Sequence, residues 1–384
     1  MKRIVQKFFM LGSFTLVILL AINFMQQRQQ TSDKPFVVQT LYGEFQVTEP
    51  VLIELFKSPV MERIKYVRQY GVLDYVVKQK KEYTRYEHSV GVWALLRKYG
   101  ASLEEQIAGL LHDASHTVFS HVGDILFAHN SAHSSYQDDI HKWYLKQQKV
   151  DQLLAKHNLS LDAVLHKSGD HRMLEQDLPD ICADRFEYNL QAGILTNMLS
   201  AQEIKTILND ACYKNGTWFF VNQESAKKLA KVSLFNSPHV WGSPEGNQIY
   251  AWTADALKRA LEIGLLAAND IHFSTDSIVW DKLWISDDPM IAACMDKIVN
   301  YKKLITVMSP EHGQRLVKTK FRGLDPLVMD QGELKRLTEL DSTYREEYGR
   351  VKMQQSKGWG LALADYQLFD QHDDAKIWCL RAIA

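Results

Sequence analysis

The stretch GLLHDASHTVFSH, residues 109 to 121, sets His112, His116 and His121 around one carboxylate, Asp113, directly after an apolar run. Imidazole and carboxylate together are the ligand set of Mn, Fe, Zn, Ni or Co, and suit Ca less well. His88 lies on an earlier helical segment, and the segment DLPDICADRFEY offers Asp177, Asp180 and Asp184 as a distant carboxylate. Two carboxylates would neutralise a dication and leave positions open for water and a phosphate oxygen, which a hydrolytic centre needs. The plainer reading is a His-rich helix end whose rings are ordinary core or surface residues. A His-Asp dipeptide alone does not decide between the two.

Such a centre constrains the elements around it. Adjacent residues on a helix point about 100° apart, so His112 and Asp113 reach one ion only if it sits beside the helix end. Ser102 followed by Glu105 forms a capping-box pattern, which predicts a helix from Leu103 that delivers both residues near its C-terminus. Apolar residues at three- and four-residue steps predict a helix over VLIELFKSPVMERIKYVRQYG, ended by Gly71, and another over EHSVGVWALLRKYG. Further helices are expected in SSYQDDIHKWYLKQQ, VDQLLAKHNLSLDAVL and TADALKRALEIGLLAA. DLPDICADRFEYNLQAGIL reads as a helix with Pro179 near its first turn. There Asp180 is placed as a capping carboxylate, and Asp184, one turn further in, faces the core. TLYGEFQV suggests a small hairpin and TWFFVNQ a strand. The expected fold class is mostly α with a few short strands.

Composition bounds the function. The chain has 384 residues, 46% of them hydrophobic, and a formal net charge of −1. A sizeable core is therefore available, and bulk attraction to duplex nucleic acid is not expected. Cys182, Cys212, Cys294 and Cys379 form no C-x-x-C pair, which excludes a zinc ribbon and a thioredoxin-type motif. Lys2, Arg3 and Lys7 precede an apolar run from Phe8 to Phe24, and only Arg28 follows closely. This pattern predicts an N-terminal transmembrane or signal-anchor helix, with the body of the protein outside the cytoplasm.

RYEHSVGV, IAGLLHDASHTVFSH and DRFEYNL, in this order, resemble the signature of the HD-domain metal-dependent phosphohydrolases, and more narrowly the deoxynucleoside triphosphate triphosphohydrolase branch. SPVMERIKYVRQYG is similar to that branch's lead-in helix, and KFRGLDPLV to a segment near its C-terminus. The resemblance covers residues 40 to 190 with specific motifs. It implies an HD helical bundle at 41–240, after a signal anchor or signal peptide at 1–27 and a linker at 28–40, and a mostly helical region at 241–384 packed on the HD core. It implies one divalent ion, a transition metal (Mn, Fe, Ni, Zn or Co) or Mg, with His88, His112, Asp113 and Asp184 as ligands. It selects Asp184 over Asp180 because DRFEY matches the family's D-[KR]-x-[DE]-Y pattern. It further implies Arg85 as a contact of substrate phosphate, and His116, His121, Asp124 and His133 as residues around the phosphates and the attacking water. A surface salt bridge for Arg85 and a surface position for His133, in the polar loop HNSAHSS, are the plainer alternatives.

Two departures stand out. The family's loop after His-Asp is glycine-rich, whereas here Ser115, Thr117 and Val118 replace Gly, Gly and Pro, so a shifted loop is expected. After DRFEY, relatives continue with an Arg-Asp pair, whereas this chain reads Asn189, Leu190, Gln191, Ala192. The expected function is metal-dependent phosphohydrolysis of a small-molecule nucleotide, with triphosphohydrolysis as the specific form. The rivals are phosphodiester or monoester hydrolysis of another nucleotide, and a non-catalytic HD-fold nucleotide sensor. A homo-oligomer is compatible with the resemblance.

Overall fold

The computed structural model describes residues 34–77, 82–127, 135–165 and 171–364. A hairpin of β1 (Phe36–Thr40) and β2 (Gly43–Val47) opens the described chain. Helices α1 (Pro50–Phe56), α2 (Pro59–Ile64), α3 (Leu73–Val76), α4 (Arg85–Lys98) and α5 (Leu103–Leu111) follow. After the His-rich loop come α6 (Val122–Leu126), α7 (Tyr136–Gln147), α8 (Val150–Lys156) and α9 (Ala183–Leu195). The C-terminal half holds α10 (Ala201–Asp210), β3 (Ala211–Lys214), β4 (Thr217–Phe220), α11 (Gln223–Asn236), α12 (Pro244–Glu262), α13 (Ala268–Phe273), α14 (Asp276–Trp284) and α15 (Pro289–Val299). Short strands β5 (Ile305–Met308), β6 (Arg315–Val317), β7 (Leu327–Asp330), β8 (Glu333–Arg336) and β9 (Trp359–Leu363) and helix α16 (Ser342–Lys357) complete the described chain. β7 and β8 extend the β3–β4 pair into a four-stranded sheet in the order β3-β4-β7-β8, and β5, β9 and β6 form a three-stranded sheet in the order β5-β9-β6.

Local chemistry explains several boundaries. Pro59 supplies no N–H and restrains Ser58 to extended backbone, which splits the expected Val51–Gly71 helix into α1 and α2, and α2 ends at Ile64, short of Gly71. Gly71 closes a turn at φ +54°, and a Cβ there would lie 2.3 Å from the Phe119 carbonyl oxygen. Ser102 caps α5 through the Glu105 N–H, as its spacing predicts. The Glu105 carboxylate does not return the bond, and instead accepts from the backbone N–H groups of Met173 and Leu174. Reciprocal capping boxes are found instead at Thr84 and Glu87, at the head of α4, and at Ser200 and Glu203, at the head of α10.

Among the described residues a smaller core gathers Leu234, Leu337 and Tyr344, and two larger cores flank the His-rich loop. One gathers Trp93, Leu95, Leu110, Leu111 and Phe186 from α4, α5 and α9. The other gathers Val118, Phe119 and Val122 with Trp252, Leu257, Val279 and Ile291. The segment 112–121 passes from the first core to the second, so the candidate site lies at their seam.

No helix among the described residues is long and apolar enough to cross a membrane. This overturns the expectation of a membrane-anchored protein, and with it the extracytoplasmic location drawn from that anchor. The run from Phe8 to Phe24 lies outside the described residues. Cys182, Cys212 and Cys294 are free thiols, and Cys379 lies outside the described residues.

The loop after Asp113 turns left-handed at Phe119 (φ 57°) and Ser120 (φ 54°), and not at Ser115, Thr117 or Val118. The three residues that replace Gly, Gly and Pro therefore carry no positive-φ strain. Asp276 holds the turn that follows. Its Oδ1 accepts from Phe119 N–H at 2.8 Å and its Oδ2 from Arg68 N–H at 2.9 Å. Asp276→Asn would replace one acceptor with an amide that faces a backbone donor, at an expected cost of about 1–3 kcal/mol. Burial raises the Asp276 pKa from 3.8 to about 6 against these bonds. The folded state thus holds this proton more tightly than the unfolded chain, and stability is lost as pH rises from about 4 to about 6. Urea unfolding across that range should show the decline in the wild-type chain and lose it in Asp276→Asn. An unchanged pH slope in the variant would refute the assignment.

Candidate metal centre

His88 is fixed by α4, His112 and Asp113 by the end of α5, and Asp184 by the first turn of α9. Pro179 and Asp180 precede α9 instead of opening it, because the helix begins only at Ala183. Asp180 is therefore not a helix cap, and its carboxylate bonds Arg336. Asp184 sits in the opening turn, not one turn further in, which brings it to the two imidazoles.

His88 Nε2 lies 2.9 Å from Asp184 Oδ1 and 3.2 Å from His112 Nε2. Donor atoms of His88, His112 and Asp184 all lie within 4.8 Å of one another. Asp113 Oδ2 is 3.6 Å from His88 Nε2, and its Oδ1 is 3.5 Å from His112 Nε2. The outer nitrogens set the tautomers. His88 Nδ1 bonds Glu187 Oε2 at 2.5 Å, and His112 Nδ1 bonds the Gly109 carbonyl at 2.7 Å. With those nitrogens donating, the two Nε2 atoms face each other, where a proton held between them or a cation that displaces it would satisfy both. The donor set therefore fits a divalent ion.

The electrostatics agree. Burial lowers the His88 pKa, but Glu187, Asp184 and Asp113 outweigh it and raise the value to about 10. His112 is raised against its burial by Asp113 and Asp184. Burial alone would raise both carboxylates. Arg85, His112 and His116 instead hold Asp113 well below the usual range, and the bonds from His112 and His88 do the same for Asp184. A dication displaces the protons these imidazoles otherwise keep.

A second group of possible ligands, Glu175, Cys182 and Asp184, shares Asp184 with the first. Its cation is already present, since Arg185 Nη2 lies 2.9 Å from Glu175 Oε1 and its Nη1 3.4 Å from Cys182 Sγ. Burial and Glu175 push the Cys182 thiol well above its usual range, so it stays protonated and is a poor ligand.

The remaining expected residues fall differently. Arg85 is 3% exposed and turned inward: Nη1 donates to Asp113 Oδ2 at 2.6 Å, Nε to Ser120 Oγ at 3.0 Å and Nη2 to Gln69 O at 3.2 Å. It orients Asp113. His116 Nε2 lies 3.3 Å from Asp113 Oδ1, while its Nδ1 is buried without a partner among the described residues. Burial and the Arg85 charge lower the His116 pKa to about 4, so His116 is neutral near pH 7 and not the cation that a phosphate would favour. His121 Nδ1 bonds Asp124 Oδ2 at 3.0 Å in a half-exposed pair, and Tyr136 N–H donates to Asp124 Oδ1 at 2.9 Å. His133 lies outside the described residues. Asn189 bonds back to Arg185 O within its own helix and does not take the place of the missing Arg-Asp pair.

Sequence reasoning missed Glu187, Tyr83 and Tyr42. Glu187 is fully buried and accepts from Tyr42 hydroxyl at 2.7 Å, from Tyr83 hydroxyl and from His88. The signal was present, because Glu187 follows Asp184 by three residues and so shares its helix face.

This helical arrangement with two histidines and carboxylates at a helix end defines the class of HD-domain proteins. The family model of the HD domain matches residues 85–188. The uncharacterized protein YdhJ of Bacillus subtilis is 33% identical over 258 residues, 67% of this chain and 78% of its own. The metal-dependent phosphohydrolase cns2 of Cordyceps militaris is 29% identical over 319 residues, 80% of this chain and 89% of its own. A solved phosphohydrolase from Bacteroides thetaiotaomicron superposes with a TM-score of 0.67 at 14% identity, over 86% of this chain and all of its own. The chain belongs to the HD-domain metal-dependent phosphohydrolases, a family whose HD domains bind a divalent metal.

Proposed function

We propose that this protein hydrolyses a phosphate bond of a nucleotide at one divalent ion held by His88, His112, Asp113 and Asp184, in the manner of a deoxynucleoside triphosphate triphosphohydrolase. The observation that carries the reading is the facing pair of Nε2 atoms, 3.2 Å apart, with Asp184 Oδ1 2.9 Å from one of them. A divalent ion bound there supplies Lewis acidity to a phosphoryl oxygen and to water. The chain's own residues do the rest. Glu187 and the Gly109 carbonyl keep the ring protons on Nδ1, and Arg85 holds Asp113 in place. Asp124 orients His121 through Nδ1, which leaves His121 Nε2 to pass a proton to the leaving oxygen. His116 Nδ1, buried and unpartnered, is free to bond substrate or water. Tyr188 lies 6.5 Å from His88 between ring centroids and packs edge-on against Trp241 at 4.9 Å, an aromatic wall suited to a nucleobase.

A panel of nucleotides assayed with Mn, Fe, Ni, Zn and Mg tests the proposal. Tripolyphosphate released from a deoxynucleoside triphosphate is the expected product. Orthophosphate would shift the reading to a monoesterase, and a phosphomonoester released from a diester substrate without orthophosphate to a diesterase. Tight binding with no turnover under any metal would sink it in favour of a sensor.

A further inference from the structure

We infer that His272, on α13, is a positioning residue for the His121–Asp124 pair: it holds the Tyr136 hydroxyl and so fixes the backbone N–H that Asp124 accepts. The inference rests on the reading above in which His121 passes a proton to the leaving oxygen. None of the motifs that mark the centre reaches as far along the chain as α13.

Asp124 divides its two oxygens between two donors. Oδ2 accepts from His121 Nδ1 at 3.0 Å, and Oδ1 accepts from Tyr136 N–H at 2.9 Å. The His121–Asp124 pair is half-exposed, and a pair open to water is held only loosely by its own attraction. The direction of the Asp124 carboxylate therefore depends on where α7 begins. Tyr136 is the first residue of α7. Its side chain runs to α13, 136 positions away in sequence, where the hydroxyl lies 2.8 Å from His272 Nε2. His272 Nδ1 lies 2.8 Å from the Ala268 carbonyl oxygen. A carbonyl only accepts, so Nδ1 carries the ring proton, Nε2 is the acceptor and the tyrosine hydroxyl donates. Burial and the Arg63 charge lower the His272 pKa against the Ala268 bond, which keeps the ring in this neutral form.

Aromatic packing encloses the contact. Phe127, the residue after α6, stacks on Tyr136 at 4.3 Å between ring centroids and on His272 at 5.4 Å. Trp143, two turns on from Tyr136 along α7, meets His272 edge-on at 5.4 Å, and Tyr144 stacks on Phe273 at 5.3 Å. The same short helix grips the His-rich loop, since Val118 N–H donates to the Ile271 carbonyl at 3.0 Å. Neighbouring residues of α13 thus hold both the loop that leads to His121 and the helix whose first N–H aims Asp124. Apolar residues of the same shape would fill this space at little cost. What the hydroxyl–imidazole bond adds is a fixed direction for Tyr136.

Steady-state kinetics of the metal-loaded full chain with a deoxynucleoside triphosphate test the inference, beside NMR of the zinc-loaded chain. Tyr136→Phe and His272→Leu should each lower kcat about threefold to tenfold, the range of one hydrogen bond, with KM and metal content within about twofold of wild type. The double variant should fall no further than His272→Leu alone, since both changes remove one contact. His272→Gln, which keeps an acceptor at a similar reach, should regain most of the loss. In the NMR spectra the Tyr136 amide should exchange faster in both single variants, and His121 should lose its single Nδ1-protonated form. A lower Tm with kcat unchanged would reduce the contact to packing and overturn the inference, as would additive losses, loss of metal or an unaltered Tyr136 amide. If the wild-type chain hydrolyses no deoxynucleoside triphosphate, the proposed reaction fails, and the Tyr136 amide and the His121 tautomer then decide whether His272 positions the pair.

Discussion

Asp184→Asn is expected to strip the divalent ion and abolish turnover, whereas Asp180→Asn keeps the ion and loses only stability. Asp184 contributes the oxygen that lies 2.9 Å from His88 Nε2 and 3.6 Å from His112 Nε2. The amide variant removes one negative charge from the centre and presents either a weaker carbonyl ligand or an NH2 group that cannot ligate. Outer partners of metal ligands typically affect affinity by about 10–100-fold, so loss of a direct ligand should exceed roughly 100-fold. Asp180 instead meets Arg336 in a partly exposed pair, where removal of the charge costs about 1 kcal/mol or less. Metal content of the two purified variants, read beside their urea midpoints, decides the matter. A metal-free Asp180 variant beside a loaded Asp184 variant would show that the ligand has been placed wrongly.

The second large effect is expected at Glu187, which need not touch the ion. Its carboxylate accepts three donors, Tyr42, Tyr83 and His88, in a fully buried position. Burial and then the Glu187 charge push both tyrosine hydroxyls well above their usual pKa, so both stay protonated and donate. Glu187→Gln places an NH2 group among these donors and weakens the hold on the His88 Nδ1 proton. If that proton moves to Nε2, the lone pair needed by the ion is lost, and metal affinity should fall by about 10–100-fold. Glu187→Ala leaves three buried donors unmatched and should cost roughly 3–5 kcal/mol of stability. Gly91→Ala provides an independent approach, because its Cβ would lie 2.3 Å from Glu187 Oε1 and the carboxylate would have to shift. Gly91→Ala combined with Glu187→Gln should then cost less than the sum of the single changes, since both act on one contact. Glu187→Gln that binds metal like the wild-type chain would rule out this orienting role.

Much of the architecture was legible in the sequence. Apolar spacing and the Ser102 cap located α5 and its delivery of His112 and Asp113, because a helix end depends on residues a few positions apart. The hairpin before α1 and the strand TWFF were read for the same reason. The order of RYEH, HD and DRFEY named the family. Where local signals competed, the sequence misled. Pro179 looked like a helix start, but α9 begins at Ala183, which moved Asp184 into the opening turn. Glu105 fitted a capping box, but its carboxylate was drawn to the backbone of Met173 and Leu174. Arg85, read as a phosphate contact, also donates to Asp113 at 2.6 Å, a partner the sequence did not show. Only the tertiary structure could decide these cases. Burial makes an unpaired charge costly, so each charged side chain takes the partner that folding brings near, and that partner comes from a distant part of the chain. The same rule placed Glu187 behind His88, 99 positions away in sequence. The family and the ligand types were written in short motifs, while the working partner of each ligand was fixed by the packing of α4, α5 and α9.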